Sequence, residues 1–193
     1  MAGQPYGTIF TIGHSTRTLD EFVELLEDYG VNMVVDVRSV PRSRYNRQFN
    51  KETLPESLKL VNVKYVHMPN IGGFRRPKSD SINTAWKNKS FRGYADYMQT
   101  KEFTEQLLNL IALTRENTVA IMCAEAVPRR CHRSLISDAL LVRQVNVEHI
   151  LTKDNVIKHQ LSGWAKVEGT KITYPLYTKE IPQKHLSDFG TPT

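Results

Sequence analysis

Short, almost wholly apolar runs alternate with longer segments of helical spacing, and this alternation limits the fold more than any other feature of the chain. Gly7 to Ile12 (GTIFTI) reads as a buried strand that ends in Gly13, His14 and Ser15. Thr18 to Tyr29 then places Leu19, Phe22, Val23, Leu25 and Leu26 on one helical face, with Thr18 as N-cap, Glu21 three residues on, and Gly30 as the stop. Met33 to Val37 (MVVDV) is apolar except for Asp36, as expected of an interior parallel strand covered on both faces. Strand, polar turn, helix, glycine and strand make a βαβ unit.

The pattern continues to about Leu151. Lys51 to Leu60 is helix-like, Lys64 to Met68 reads as a third strand, and Tyr94 to Leu113 returns to helical spacing. Thr118 to Met122 is a fourth strand closing on Cys123, a helix spans about His132 to Arg143, and Val147 to Leu151 reads as a last parallel strand. The expectation is a single-domain α/β fold over 1–178, a three-layer Rossmann-like sandwich with a mostly parallel sheet, followed by a loosely held tail at 179–193. A stretch at about 72–93 carries basic residues interleaved with Phe74, Trp86 and Phe91, and is expected to be an exposed insertion or lid.

With 40% hydrophobic and 24% charged residues among 193, the chain is too apolar to be disordered and long enough to bury a core. It has no apolar run approaching the roughly 18 residues of a membrane span, and Met1 to Tyr6 lacks a signal-peptide pattern, so no membrane association and a cytoplasmic location are expected. The net charge of +6 favours polyanionic partners without requiring them. Two cysteines, Cys123 and Cys131, are too few for a secreted disulfide framework and are expected to be reduced thiols.

Ligands of parallel α/β sheets bind at the C-terminal strand ends. That rule selects His14 and Ser15 after the first strand, Asp36 and Arg38 after the second, and Cys123, Glu125, Cys131, His132 and Arg133 after the fourth. Cys131 falls at a predicted helix start, where free N–H groups and the helix dipole stabilise a thiolate or an oxyanion. Asp36 suits a general base or a ribose grip, and Arg38, Arg42 and Arg44 suit bidentate phosphate contacts, while an Asp36–Arg38 ion pair is the structural alternative. His14 is a candidate acid or base near neutral pH. The run from Cys123 to Arg129 (CAEAVPR) matches the letters of a phosphatase loop, yet it has no glycine and Pro128 removes a donor. Seven residues separate the cysteines, unlike the spacing of structural zinc sites, so neither metal nor cofactor is expected.

The pieces Thr11-Ile12-Gly13-His14-Ser15, Asp36-Val37-Arg38 with Pro41 and Ser43-Arg44, Ile71-Gly72-Gly73, Phe91-Arg92-Gly93-Tyr94-Ala95, and Cys123-Ala124-Glu125 leading to Cys131-His132-Arg133 occur in one order. In that order they resemble the signature blocks of the family called domain of unknown function 488, from about Ile9 to Leu151. The resemblance implies a Rossmann-like α/β domain with two functionally important cysteines, and no settled reaction. The leading expectation is an enzyme acting on a nucleotide, a nucleic acid or another phosphate-bearing substrate. Its rivals are a non-catalytic nucleic-acid-binding module, suggested by basic residues interleaved with stackable rings, and a thiol redox or sulfur-transfer protein using Cys123 and Cys131. Oligomeric state is not legible.

Overall fold

A computed structural model describes residues 7–176. Five strands, β1 (Ile9–Gly13), β2 (Met33–Asp36), β3 (Lys64–His67), β4 (Val119–Cys123) and β5 (Val147–Thr152), pair in parallel in the order β3-β2-β4-β1-β5. A sixth, β6 (Asn155–Lys158), joins β5 antiparallel as an exposed edge. The expected α/β sandwich is therefore present, with one antiparallel strand that the mixed sequence after Thr152 did not reveal.

Side chains alternate across each strand, so neighbouring residues feed opposite cores. Ile12, Val34 and Met122 pack beneath α1 (Leu19–Asp28) and α2 (Leu54–Leu60), with Phe22, Leu26 and Leu58. Ile9, Val35 and Ile121 face α3 (Lys89–Tyr97), α4 (Lys101–Leu113) and α5 (Arg133–Leu141), with Tyr94, Leu107 and Leu140. The Thr18 capping box forms as its spacing predicts, and Gly30 turns the chain out of α1 at φ 61°. Tyr94 to Leu113, expected as one helical region, is split into α3 and α4, and the Thr100 hydroxyl caps the second by accepting from the Phe103 N–H.

The segment at 72–93, expected as an exposed insertion or lid, is exposed over most of its length and is anchored at a few buried positions. The Asp96 carboxylate accepts from the Lys78 N–H at 2.8 Å, the Ser81 hydroxyl at 2.6 Å and the Asn83 amide at 2.7 Å, and Asn83 in turn accepts from the Tyr174 N–H. Trp86 packs among Phe91, Trp164 and Tyr174. A hairpin of β7 (Lys166–Glu168) and β8 (Lys171–Thr173) brings Ile172 and Tyr174 into the core. The expected tail at 179–193 lies outside the described residues. Among those described, no helix is long and apolar enough to cross a membrane.

Candidate functional site

Parallel register brings the selected residues to one edge of the sheet. Gly13 pairs with Cys123 and Asp36 with Met122, so the ends of β1, β4 and β2 are neighbours. The ladder runs on past the strands, because the His14 and Ser15 N–H groups donate to the Cys123 and Ala124 carbonyls. A Cβ on Gly13 would collide with the backbone at Glu125, so only glycine lets the loop after β4 fold over the end of β1. Above this edge lies a cleft of about 620 Å³ whose lining includes His14, Ser15, Arg38, Arg42, Phe74, Glu125 and Arg130. Cys123, Cys131 and His132 line it as well.

These last three form a triangle. His132 Nδ1 stands 3.6 Å from Cys131 Sγ and 3.9 Å from Cys123 Sγ, and the three atoms lie within 4.8 Å of one another. His132 Nε2 is 3.1 Å from the Val37 carbonyl, which can only accept, so Nε2 carries the proton. In the neutral ring Nδ1 is then a lone pair aimed at both sulfurs. Cys131 follows a 3-10 turn at Pro128–Arg130 that delivers it just before α5, with its N–H bonded to the Pro128 carbonyl. The Cys131 thiol is held well below its ordinary range, first by its contact with the Cys123 thiol and also by the positive charge of Arg133, against the opposing effect of burial. Cys123 moves the other way, through that same contact and its own burial.

A family model for a domain of unknown function, DUF488, matches residues 18–140. The chain belongs to the DUF488 family. No curated protein and no solved structure matches the chain.

The DUF488 signature residues divide by what they touch. Asp36 has no place in the cleft lining: its carboxylate takes Arg38 Nε at 2.9 Å, Arg38 Nη2 at 2.6 Å and the Tyr65 hydroxyl at 2.7 Å. Burial and that carboxylate keep the Tyr65 hydroxyl protonated. Arg38, 7% exposed, also donates to the Phe49 carbonyl and bonds His14 Nε2 at 3.1 Å. β2 ends at Asp36, so the pair folds back on itself as a structural ion pair whose outer edge borders the cleft.

His14 Nδ1 donates to the Ser15 carbonyl at 3.0 Å, leaving Nε2 to accept from Arg38, and the ring stacks on Phe49. Burial first, and Arg38 second, lower its pKa to about 4. His14 is therefore neutral at pH 7, a fixed acceptor where sequence suggested an acid or base titrating near neutrality. Arg133, expected at a phosphate, is fully buried behind the sulfurs: Nε donates to Cys131 Sγ at 3.4 Å, and Nη2 to the Glu125 carbonyl. Arg42 lines both the cleft and an adjoining groove, which Arg44 and Arg47 extend. Arg129 does not line the cleft, and no phosphatase-type cradle forms; its neighbour Arg130 does line it.

Sequence reasoning did not assign roles to Arg130, to the Val37 carbonyl or to Gly73. A Cβ on Gly73 would stand 2.7 Å from His132 Nδ1, so this glycine lets backbone pass over the ring, while its neighbour Gly72 packs against Ser39 and the Pro69 carbonyl. The Gly72-Gly73 pair was the available signal. A second polar cluster went unseen. The Thr11 hydroxyl, His149, His159 and Asp138 form a buried chain with links of 2.7, 2.9 and 2.8 Å, and Asp138 also takes the Ser162 and Tyr174 hydroxyls.

Proposed function

We propose that this protein is an enzyme acting on a phosphate-bearing substrate, a nucleotide or a nucleic-acid strand, in the cleft at the C-terminal edge of the sheet. One observation carries the reading: two sulfurs and an imidazole lone pair converge at a cleft rimmed by the cations Arg42 and Arg130. A purely structural trio of this kind would be sealed, whereas this one faces a space large enough for a nucleotide-sized ligand.

The rim supports the substrate class. Arg42, Arg44 and Arg47 continue from the cleft along the adjoining groove, a path suited to successive phosphates. Phe74, 79% exposed, lines the cleft, and Tyr45, 94% exposed, lies between Arg44 and Arg47 in sequence; both offer rings on which bases can stack. Arg38 and His14, locked to each other, form the fixed wall between cleft and core. Glu125, exposed on the loop, is the carboxylate nearest in sequence to the reactive trio.

Thermal stability measured against nucleotides, short DNA and short RNA at low and moderate salt tests this. Stabilisation by one class, weakened by salt and by the double change Arg42→Ala with Arg130→Ala, is the expected result. If no member of the panel stabilises the protein, the substrate class is wrong. Binding retained in full, with no turnover of any bound class, would instead support a non-catalytic nucleic-acid-binding module.

The proximity of the sulfurs favours a second reading, thiol redox or sulfur transfer. Both thiols are free, and their sulfurs lie within 4.8 Å of each other. That reading requires reversible loss of about two mass units, one hydrogen per thiol, on mild oxidation.

A further inference from the structure

The trio is placed as metal ligands would be. For a tetrahedral ion with bonds of about 2.3 Å to sulfur and about 2.0–2.1 Å to nitrogen, the sulfur–nitrogen edges are about 3.5–3.6 Å and the sulfur–sulfur edge about 3.8 Å. The two sulfur–nitrogen distances are 3.6 and 3.9 Å, and all three separations are within 4.8 Å. The tautomer fits too. His132 Nε2–H is anchored on the Val37 carbonyl, the usual outer partner of a metal-bound histidine, and it leaves Nδ1 free to ligate.

We infer that Cys123 Sγ, Cys131 Sγ and His132 Nδ1 bind one zinc ion, leaving its fourth coordination position open to the cleft. Two thiolates and an imidazole suit zinc and disfavour magnesium or calcium, which take oxygen ligands. Binding displaces the two thiol protons to solvent, so the ion and the thiolates form a neutral unit. Three protein ligands with one open position is the pattern of a catalytic rather than a structural zinc site. The seven-residue spacing that argued against zinc describes knuckles closed within one loop. Here the strand end holds Cys123 and the 3-10 turn returns Cys131 to it, so the distance along the chain is irrelevant.

The inference deepens the reading of the cleft as an active site, but its test needs no substrate. The full chain is expressed in zinc-supplemented medium, purified under reducing conditions without chelator, and measured for metal per chain. About one zinc is expected, lost on Cys131→Ser and on His132→Gln while the far-ultraviolet circular dichroism is unchanged. Because those variants could fail to fold, the wild-type protein carries an independent measurement. Cobalt substitution should give sulfur-to-metal charge-transfer bands with the strong visible bands of a tetrahedral site, and both thiols should resist alkylation until a chelator is added. Wild-type protein that stays metal-free after zinc reconstitution, with both thiols alkylated at equal rates with and without chelator, overturns the site. So does a disulfide recovered under the same reducing conditions. Zinc bound without any nucleotide or nucleic-acid stabilisation would uphold the site and remove the substrate class instead.

Discussion

Two histidine clusters lie on this sheet, and they differ in what is left over once each has made its bonds. In the Thr11–His149–His159–Asp138 chain, donation in one direction satisfies every ring nitrogen, and the carboxylate at its end is filled by Ser162 and Tyr174. Nothing there faces a ligand. In the Cys123–Cys131–His132 cluster, one ring nitrogen is anchored and the other converges with both sulfurs beside the cleft. A satisfied network specifies packing, and an unsatisfied convergence is a place where chemistry can occur.

The comparison can be broken from either side. Asp138→Ala should have the largest effect, destabilising the protein by about 3–5 kcal/mol in denaturant titration, because it strands His159, Ser162 and Tyr174 without their shared acceptor. It touches none of the three atoms of the reactive trio. A loss under about 1 kcal/mol would mean that the sealed chain is not what holds α5 to the sheet.

Acid comes next. Burial lowers the pKa of His149 to about 3 and that of His14 to about 4, from 6.5. Between pH 6.5 and those values the unfolded chain binds protons that the folded chain refuses. Stability from both groups is complete above pH 6.5 and falls as pH drops toward 4, by on the order of a few kcal/mol together. Denaturation midpoints across this window in the wild type and in His149→Gln measure it. Equal slopes in the two proteins would remove His149 from the account.

Gly73→Ala separates the clusters most sharply. The added methyl presses on the His132 ring beside its free nitrogen, and should cost only about 1 kcal/mol of stability yet weaken metal binding or activity roughly tenfold or more. Unchanged thiol protection in this variant would show that the ring has room to move. Smallest in stability is Arg42→Ala with Arg130→Ala, expected within about 0.5 kcal/mol of wild type while flattening the salt dependence of ligand binding.

The layered fold was readable because burial leaves a periodic mark. Met33 to Val37 could only be an interior strand, Thr18 to Tyr29 only an amphipathic helix, and the cysteines could be placed at a strand end and near a helix start from their flanks. Local patterning did not show β6, whose residues are all exposed and carry no alternation of burial, nor the anchoring of the basic insertion, which depends on buried Asp96 and Asn83 and on the packing of Trp86.

The amino-acid order by itself determined the parallel sheet, the edge at which reactive groups gather, and the family, because each depends on residues near one another or on periodicity. Only the tertiary structure decided which members of that gathering are occupied. Asp36 and Arg38 could have opened into the cleft or closed on each other, and β2 ends between them, so they closed. Arg133 could have met a ligand, but it lies under the sulfurs and supplies their positive surroundings. Cys123, Cys131 and His132 meet because register and a turn set separations through space, and such separations leave no trace in spacing along the chain.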